Sequence, residues 1–247
     1  RRQTMKKLIL IFVASLLLGV PAVMAQAPSG VSTKAAVRQD AAISRLKTRA
    51  DAEITRRITA FNLLLTKINA MKRLTPDQKM TFTNGIQGQM TSLNALKTKI
   101  DADTDITTLR TDVQSIVKAY RIFALYMPQV NIMAHADRIL ALIDEMNAIS
   151  AKLQTRIDEA KTAGKDTSSM QSLMTDRAAK LKDAATQANN AIVAVVALTP
   201  DGYPGNKTTM QSAQKMLQTA RQDLVNALQD MQQIRQLLTP EATKSAE

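Results

Sequence analysis

The chain has no cysteine and no tryptophan, a single histidine, and aromatic residues at only 3% of its length. Without thiols there is no disulfide framework, no thiolate metal site, no cysteine nucleophile and no lipid-modified cysteine. One imidazole, His135, excludes a two-histidine metal site and leaves no second imidazole for acid–base work. It reads as a residue at the edge of the core. None of the 12 serines lies in a nucleophile-elbow context, and no glycine-rich phosphate loop is present. Adjacent carboxylates such as Asp144 and Glu145 fall about 100° apart on a helix and do not converge on a substrate. No catalytic residue, no cofactor and no metal site is therefore expected. Seven glycines and seven prolines in 247 residues, with abundant Ala, Leu, Gln, Lys and Met, favour helices over sheet.

Lys6 and Lys7 precede a 13-residue, largely apolar run over 8–20, followed by Pro21 and Val23-Met24-Ala25. The last and third-last of these suit a signal peptidase, which predicts an export signal over 5–25 and an upstream remnant over 1–4. The protein is then periplasmic, extracellular or held at the cell surface. A retained N-terminal membrane anchor is the alternative, because residues 8–24 reach the lower limit of about 17 for a spanning helix.

Net charge is +12, and it is unevenly spread. Residues 34–79 carry 11 basic and 4 acidic side chains, whereas residues 80–247 carry 18 and 17. No aromatics are interleaved as a base-stacking surface requires, so nucleic acid is not expected. An anionic envelope polymer or lipid surface suits this charge, with Arg45, Lys47, Arg49, Arg56 and Arg57 as contacts. A solvated helix face explains the same residues more simply.

Residues 26–39 are rich in Ala, Ser, Pro and Gly and read as a flexible lead-in. Helix over 40–73 follows, with Ile43, Leu46, Ala50, Ile54, Ile58, Phe61, Leu65, Ile68, Met71 and Leu74 spaced by threes and fours. Thr75 is placed as N-cap of the next helix, Pro76 as its first residue and Gln78 as the return partner of a capping box. That helix runs over 76–100, and Gly85 and Gly88 weaken its middle. Helical pattern resumes from about 105 to 163 and should kink or break at Pro128. Gly164 supplies a stop. Further helices are expected over 167–198 and 207–238, the last with Met210, Ala213, Leu217, Ala220, Leu224, Ala227, Met231, Ile234 and Leu238 as an unbroken seam.

The expected fold is all-α, an elongated antiparallel helical bundle. Two tandem three-helix bundles, over 40–127 and 128–238, would share the long helix kinked near Pro128, with a disordered tail over 239–247. Residues 120–143 are apolar nearly all round. Phe123, Tyr126, Met127, Val130, Ile132 and Met133 therefore form either a buried bundle junction or an exposed partner-binding patch. Asp101, Asp103, Asp105 and Asp112 match positions 1, 3, 5 and 12 of a calcium loop, but Ile106 replaces its glycine and Asp112 its glutamate. Acidic capping of the next helix explains them at less expense.

Leu74-Thr75-Pro76-Asp77-Gln78 resembles the LTxxQ motif of small periplasmic envelope-stress chaperones. That resemblance implies an exported helical protein with a basic concave face that shields unfolded clients. In leader, length and helix pattern the chain also resembles uncharacterised exported helical proteins of candidate-phylum bacteria, a resemblance that implies no activity. The expected function is a non-enzymatic structural or protein-interaction element of the cell envelope or surface, with a protein partner and self-association through helix faces. A chaperone-like binder and a basic helix on an anionic surface are the alternatives.

Overall fold

The computed structural model describes residues 29–119 and 121–239. The expected leader over 5–25, the remnant over 1–4 and tail residues 240–247 lie outside them. Six α-helices form among the described residues: α1 Ser29–Ala70, α2 Pro76–Ala102, α3 Ile106–Ala119, α4 Met127–Thr162, α5 Ser168–Val196 and α6 Asn206–Leu238. No strand occurs among the described residues, and the fold is an all-α bundle. No described helix is long and apolar enough to cross a membrane. Arg1–Asp40 and Ala41–Glu247 are separate compact units. In the first, residues 33–40 are helical and exposed, so helix begins within the segment expected to be a flexible lead-in. Lys34, Ala35, Ala36, Arg38 and Gln39 are all good helix formers.

In the second unit, α1 buries Ala50, Ile54, Arg57, Phe61, Leu64 and Ile68, a strict alternation of four and three that Met71, just past the helix end, continues. Ile58 and Leu65, expected on the seam, are only half-buried, and Arg57 and Leu64 take those places. The turn to α2 is the expected capping box. The Gln78 N–H donates to Thr75 Oγ1 at 3.2 Å and the Thr75 N–H to Gln78 Oε1 at 2.9 Å. Gly85 and Gly88 sit on an open face, and α2 passes through both without a break. Asp105 caps α3, its carboxylate accepting the Thr108 N–H at 2.7 Å. Those hydrogen bonds hold the Asp105 carboxyl below the usual carboxylate range.

The break expected at Pro128 falls upstream of it. Helix α3 ends at Ala119, and a π-helical turn, Ile122–Tyr126, leads into α4, with the Met127 N–H donating to the Ile122 carbonyl. Pro128 occupies the first turn of α4, where a missing N–H leaves no bond unmade. The helices on either side are thus separate elements rather than one kinked rod.

Helix α4 stops at Gly164, whose φ of 84° is open to glycine without strain. The Lys165 N–H donates to the Ala160 carbonyl and the Gly164 N–H to that of Lys161, both at 3.0 Å, which is the Schellman arrangement. Helices α5 and α6 share the most extensive helix contact among the described residues, and α4 packs on both. Ala184, Ala188 and Ala191 of α5 and Ala213, Ala220 and Ala227 of α6 are fully buried, so the two backbones lie close. The α6 seam is buried as expected except at Met231, which is partly buried.

A polar layer divides this bundle. Arg177, 1% exposed, donates to the Met146 carbonyl at 2.6 Å, and Lys180 holds Asp230 at 2.7 and 2.9 Å. Burial works against the Arg177 charge and the Asp230 carboxylate supports it. The main apolar cluster reaches Met146, Leu181 and Ala227, whereas Leu153, Ile157, Met170, Ile234 and Leu238 form a separate one. At the opposite end Gln129, fully buried, donates to the carbonyls of Val195 and Leu198 at 2.7 and 3.0 Å and so satisfies the end of α5.

Two stability predictions follow from this packing. Leu217→Ala should cost about 2–5 kcal/mol by denaturant unfolding, as a truncation in a packed seam. Asp230→Ala should cost about 1–3 kcal/mol because it leaves half-buried Lys180 without its acceptor and buried Arg177 without a nearby negative charge, while Arg177→Met combined with Asp230→Leu should cost less than the two single changes together.

Candidate functional site

Helix α4 carries His135, Arg138, Ile139 and Leu142 at i, i+3, i+4 and i+7, and α6 carries Arg221, Leu224, Val225 and Leu228 at the same intervals. That spacing puts each set on one helix face. The last turns of α4 and α6 meet the first turn of α5 in the smaller apolar cluster, so α4 and α6 run parallel. The eight side chains line an open groove of about 390 Å³ between them. Its floor is Ile139 and Leu224, both buried, and its walls are Leu142, Val225 and Leu228, all exposed. Because the helices are parallel, His135, Arg138 and Arg221 gather at one end and the apolar walls extend from there. Ile149, also exposed, continues the α4 stripe two turns further.

Arg138 and Arg221 have no ion-pair partner among the described residues. Two neighbouring acids are engaged elsewhere. Asp137 accepts the Arg73 N–H at 2.6 Å, and Asp144 pairs with the Arg73 guanidinium at 2.5 Å. Burial, and secondarily Asp183, pushes the Asp223 carboxyl up. A second, polar groove of about 360 Å³ on the other side of His135 and Arg138 is lined by Lys67, Asn131 and Asp137 among others. The single histidine is exposed and touches both grooves.

The apolar segment over 120–143 divides. Tyr126, Val130, Ile132 and Met133 are buried, whereas Phe123 and Met127 are 41% and 37% exposed. Tyr126 packs edge-on against Phe61 and Phe82, at centroid distances of 5.3 and 6.0 Å, so these rings tie α1, α2 and the π-helical turn together. Burial pushes its phenol up to about 12, with Asp201 adding to the shift. Phe123 lies under two guanidinium groups, Arg56 at 4.2 Å and Arg57 at 5.8 Å.

The basic residues of α1 also divide, and Arg57 is a correction. It is 4% exposed and bonded to Glu53, because it stands on the seam one turn from Ile54 and Phe61; it cannot meet a surface. Arg56 also pairs with Glu53, at 2.7 Å. Lys47 donates to the Asp101 carbonyl at 2.6 Å. Arg45 and Arg49 are exposed and free of ion pairs among the described residues.

The acidic turn works as capping. Asp105 caps α3, Asp101 pairs with Lys97 at 3.1 Å and Asp112 with Lys99 at 2.9 Å. Burial, then Asp112, raises the Asp103 carboxyl. No group of three acidic or histidine side chains able to hold a metal ion occurs among the described residues.

Sequence reading missed the groove. Arg221, Val225 and Leu228 stand off the α6 seam, and Leu142 and Ile149 share a face of α4. Apolar residues at i, i+3 or i+7 outside a seam were the available signal. No protein-family model, curated protein or solved structure matches the chain.

Tyr126 generates a pH prediction. Its folded pKa lies above the unfolded value near 10, so folding disfavours the phenolate. The native state then binds more protons than the unfolded chain between pH about 10 and 12. Stability should fall as pH rises through that window, and Tyr126→Phe should remove that component when unfolding is compared at pH 9 and 11.5.

Proposed function

We propose that the protein is a non-enzymatic, exported helical element of the cell envelope or surface that works by docking other molecules on exposed helix faces. The α4/α6 groove carries this reading. Twelve large apolar side chains are exposed among the described residues, and three of them, Leu142, Val225 and Leu228, line this one groove, with Ile149 two turns beyond Leu142 on α4. The remainder include isolated residues such as Leu63, Met80 and Val193, which need no special account. A clustered apolar face with a basic end is the surface signature of a docking site.

A second reading rests on α1. Arg45 and Arg49 lie one turn apart, exposed and unpaired among the described residues, and Arg56 shares their face. This stripe supports contact with an anionic polymer or lipid surface. It predicts salt-sensitive association that Arg45→Glu with Arg49→Glu abolishes, with Arg57 left in place because it supports the fold.

A photo-crosslinking residue at Leu228 should capture a defined partner in the native envelope, whereas one at the more exposed Val193 should not. Equal capture at both positions removes the reading. Suppression of a denatured client's aggregation at near-stoichiometric ratio, lost on Leu142→Asp with Leu228→Asp, would favour the chaperone-like alternative.

A further inference from the structure

We propose that the α4/α6 groove binds a free single-chain aliphatic carboxylate, its head at Arg138 and Arg221 and its tail over Leu142, Val225 and Leu228. This rests on the reading of the α4/α6 face as the docking surface and names its ligand.

Charge and apolarity are separated along the groove rather than mixed. The seven steps of α4 from His135 to Leu142 span about 10 Å of helix axis, with His135 and Arg138 leading and Leu142 last. On α6, Arg221 leads and Leu228 closes the same distance. Because Cα–Cβ bonds tilt toward the helix N-terminus, the arginine side chains lean away from the apolar walls and leave that length open. The head end offers two fixed positive charges with no ion-pair partner among the described residues, and an imidazole beside them. Glu145, on the same face of α4, lines no part of the groove.

An acidic amphipathic helix fits less well, because its carboxylates would be spread along its length while the groove has cations at one end only. The volume, about 390 Å³, lies near the lower limit of small-molecule sites and suits one tail rather than two. Guanidinium forks match a carboxylate in a bidentate way. Burial of methylenes over Leu142, Val225 and Leu228 supplies affinity that grows with chain length.

Calorimetric titration of the full chain with hexanoate, octanoate and decanoate, below micelle-forming concentrations, tests this. Affinity should rise by up to about fourfold per methylene, and decanoate should bind about tenfold or more tightly than decanol. Arg138→Gln with Arg221→Gln should reduce decanoate to the level of decanol and leave decanol unchanged. Leu142→Asp with Leu228→Asp should abolish both, with the helical circular dichroism intact since these side chains are exposed. Equal binding of decanol and decanoate by the unaltered protein overturns the proposal. So does absence of saturable binding, or binding confined to anionic vesicles or to an acidic amphipathic peptide. If decanoate fails while a crosslinker at Leu228 still captures a partner, the ligand class falls and the docking face stands; if crosslinking there is also no greater than at Val193, both fall.

Discussion

Helix faces spaced by threes and fours must bury together, because apolar burial is the dominant source of cohesion in a chain without disulfides. With no disulfide and few rings, each helix depends on neighbours for its apolar stripe. In α5 and α6 three buried positions on each helix are alanine, so the helices approach closely there and contact between backbones adds to the packing of the larger side chains. Around α1, α2 and the π-helical turn the same task falls to Phe61, Phe82 and Tyr126, whose rings meet edge to face. These parts belong to one continuous apolar cluster.

Polar side chains at seam positions shape that core more than its apolar majority does. Arg57 and Arg177 both take places that a leucine could fill, and each leaves its buried Nε without a partner. Such groups are costly, and they restrict the ways in which the helices can slide past one another. A shift of α5 by one turn would carry Arg177 away from the Met146 carbonyl and Lys180 away from Asp230. The layer thus sets register in a bundle whose alanine seams would tolerate several.

The groove follows from the same geometry. Helices α4 and α6 are joined through α5, run parallel and meet along a line where α5 cannot cover the outer side. Side chains one step off each seam, Leu142 on one and Val225 and Leu228 on the other, are left facing water. Being parallel, the two helices bring their basic residues to the same end. An antiparallel pair with the same residues would have placed the arginines at opposite ends and given no directional site.

Sequence alone determined the helical class, the capping box at Thr75, an acidic cap before α3 and the stop at Gly164. The last three rest on contacts within a few residues, which short-range spacing specifies; the α6 seam was legible except at Met231, where Asp230 is buried instead. Sequence could not determine whether Arg57 or Ile58 faces the core. The two are neighbours about 100° apart, and the choice depends on which helix lies opposite. For the same reason Pro128 was legible as a disruption but not as the first turn of a new helix after a π-helical turn. Tertiary structure decided the polar layer, the burial of Tyr126, Val130, Ile132 and Met133 beside an exposed Phe123 and Met127, and the groove, because each is a relation between helices far apart in the chain.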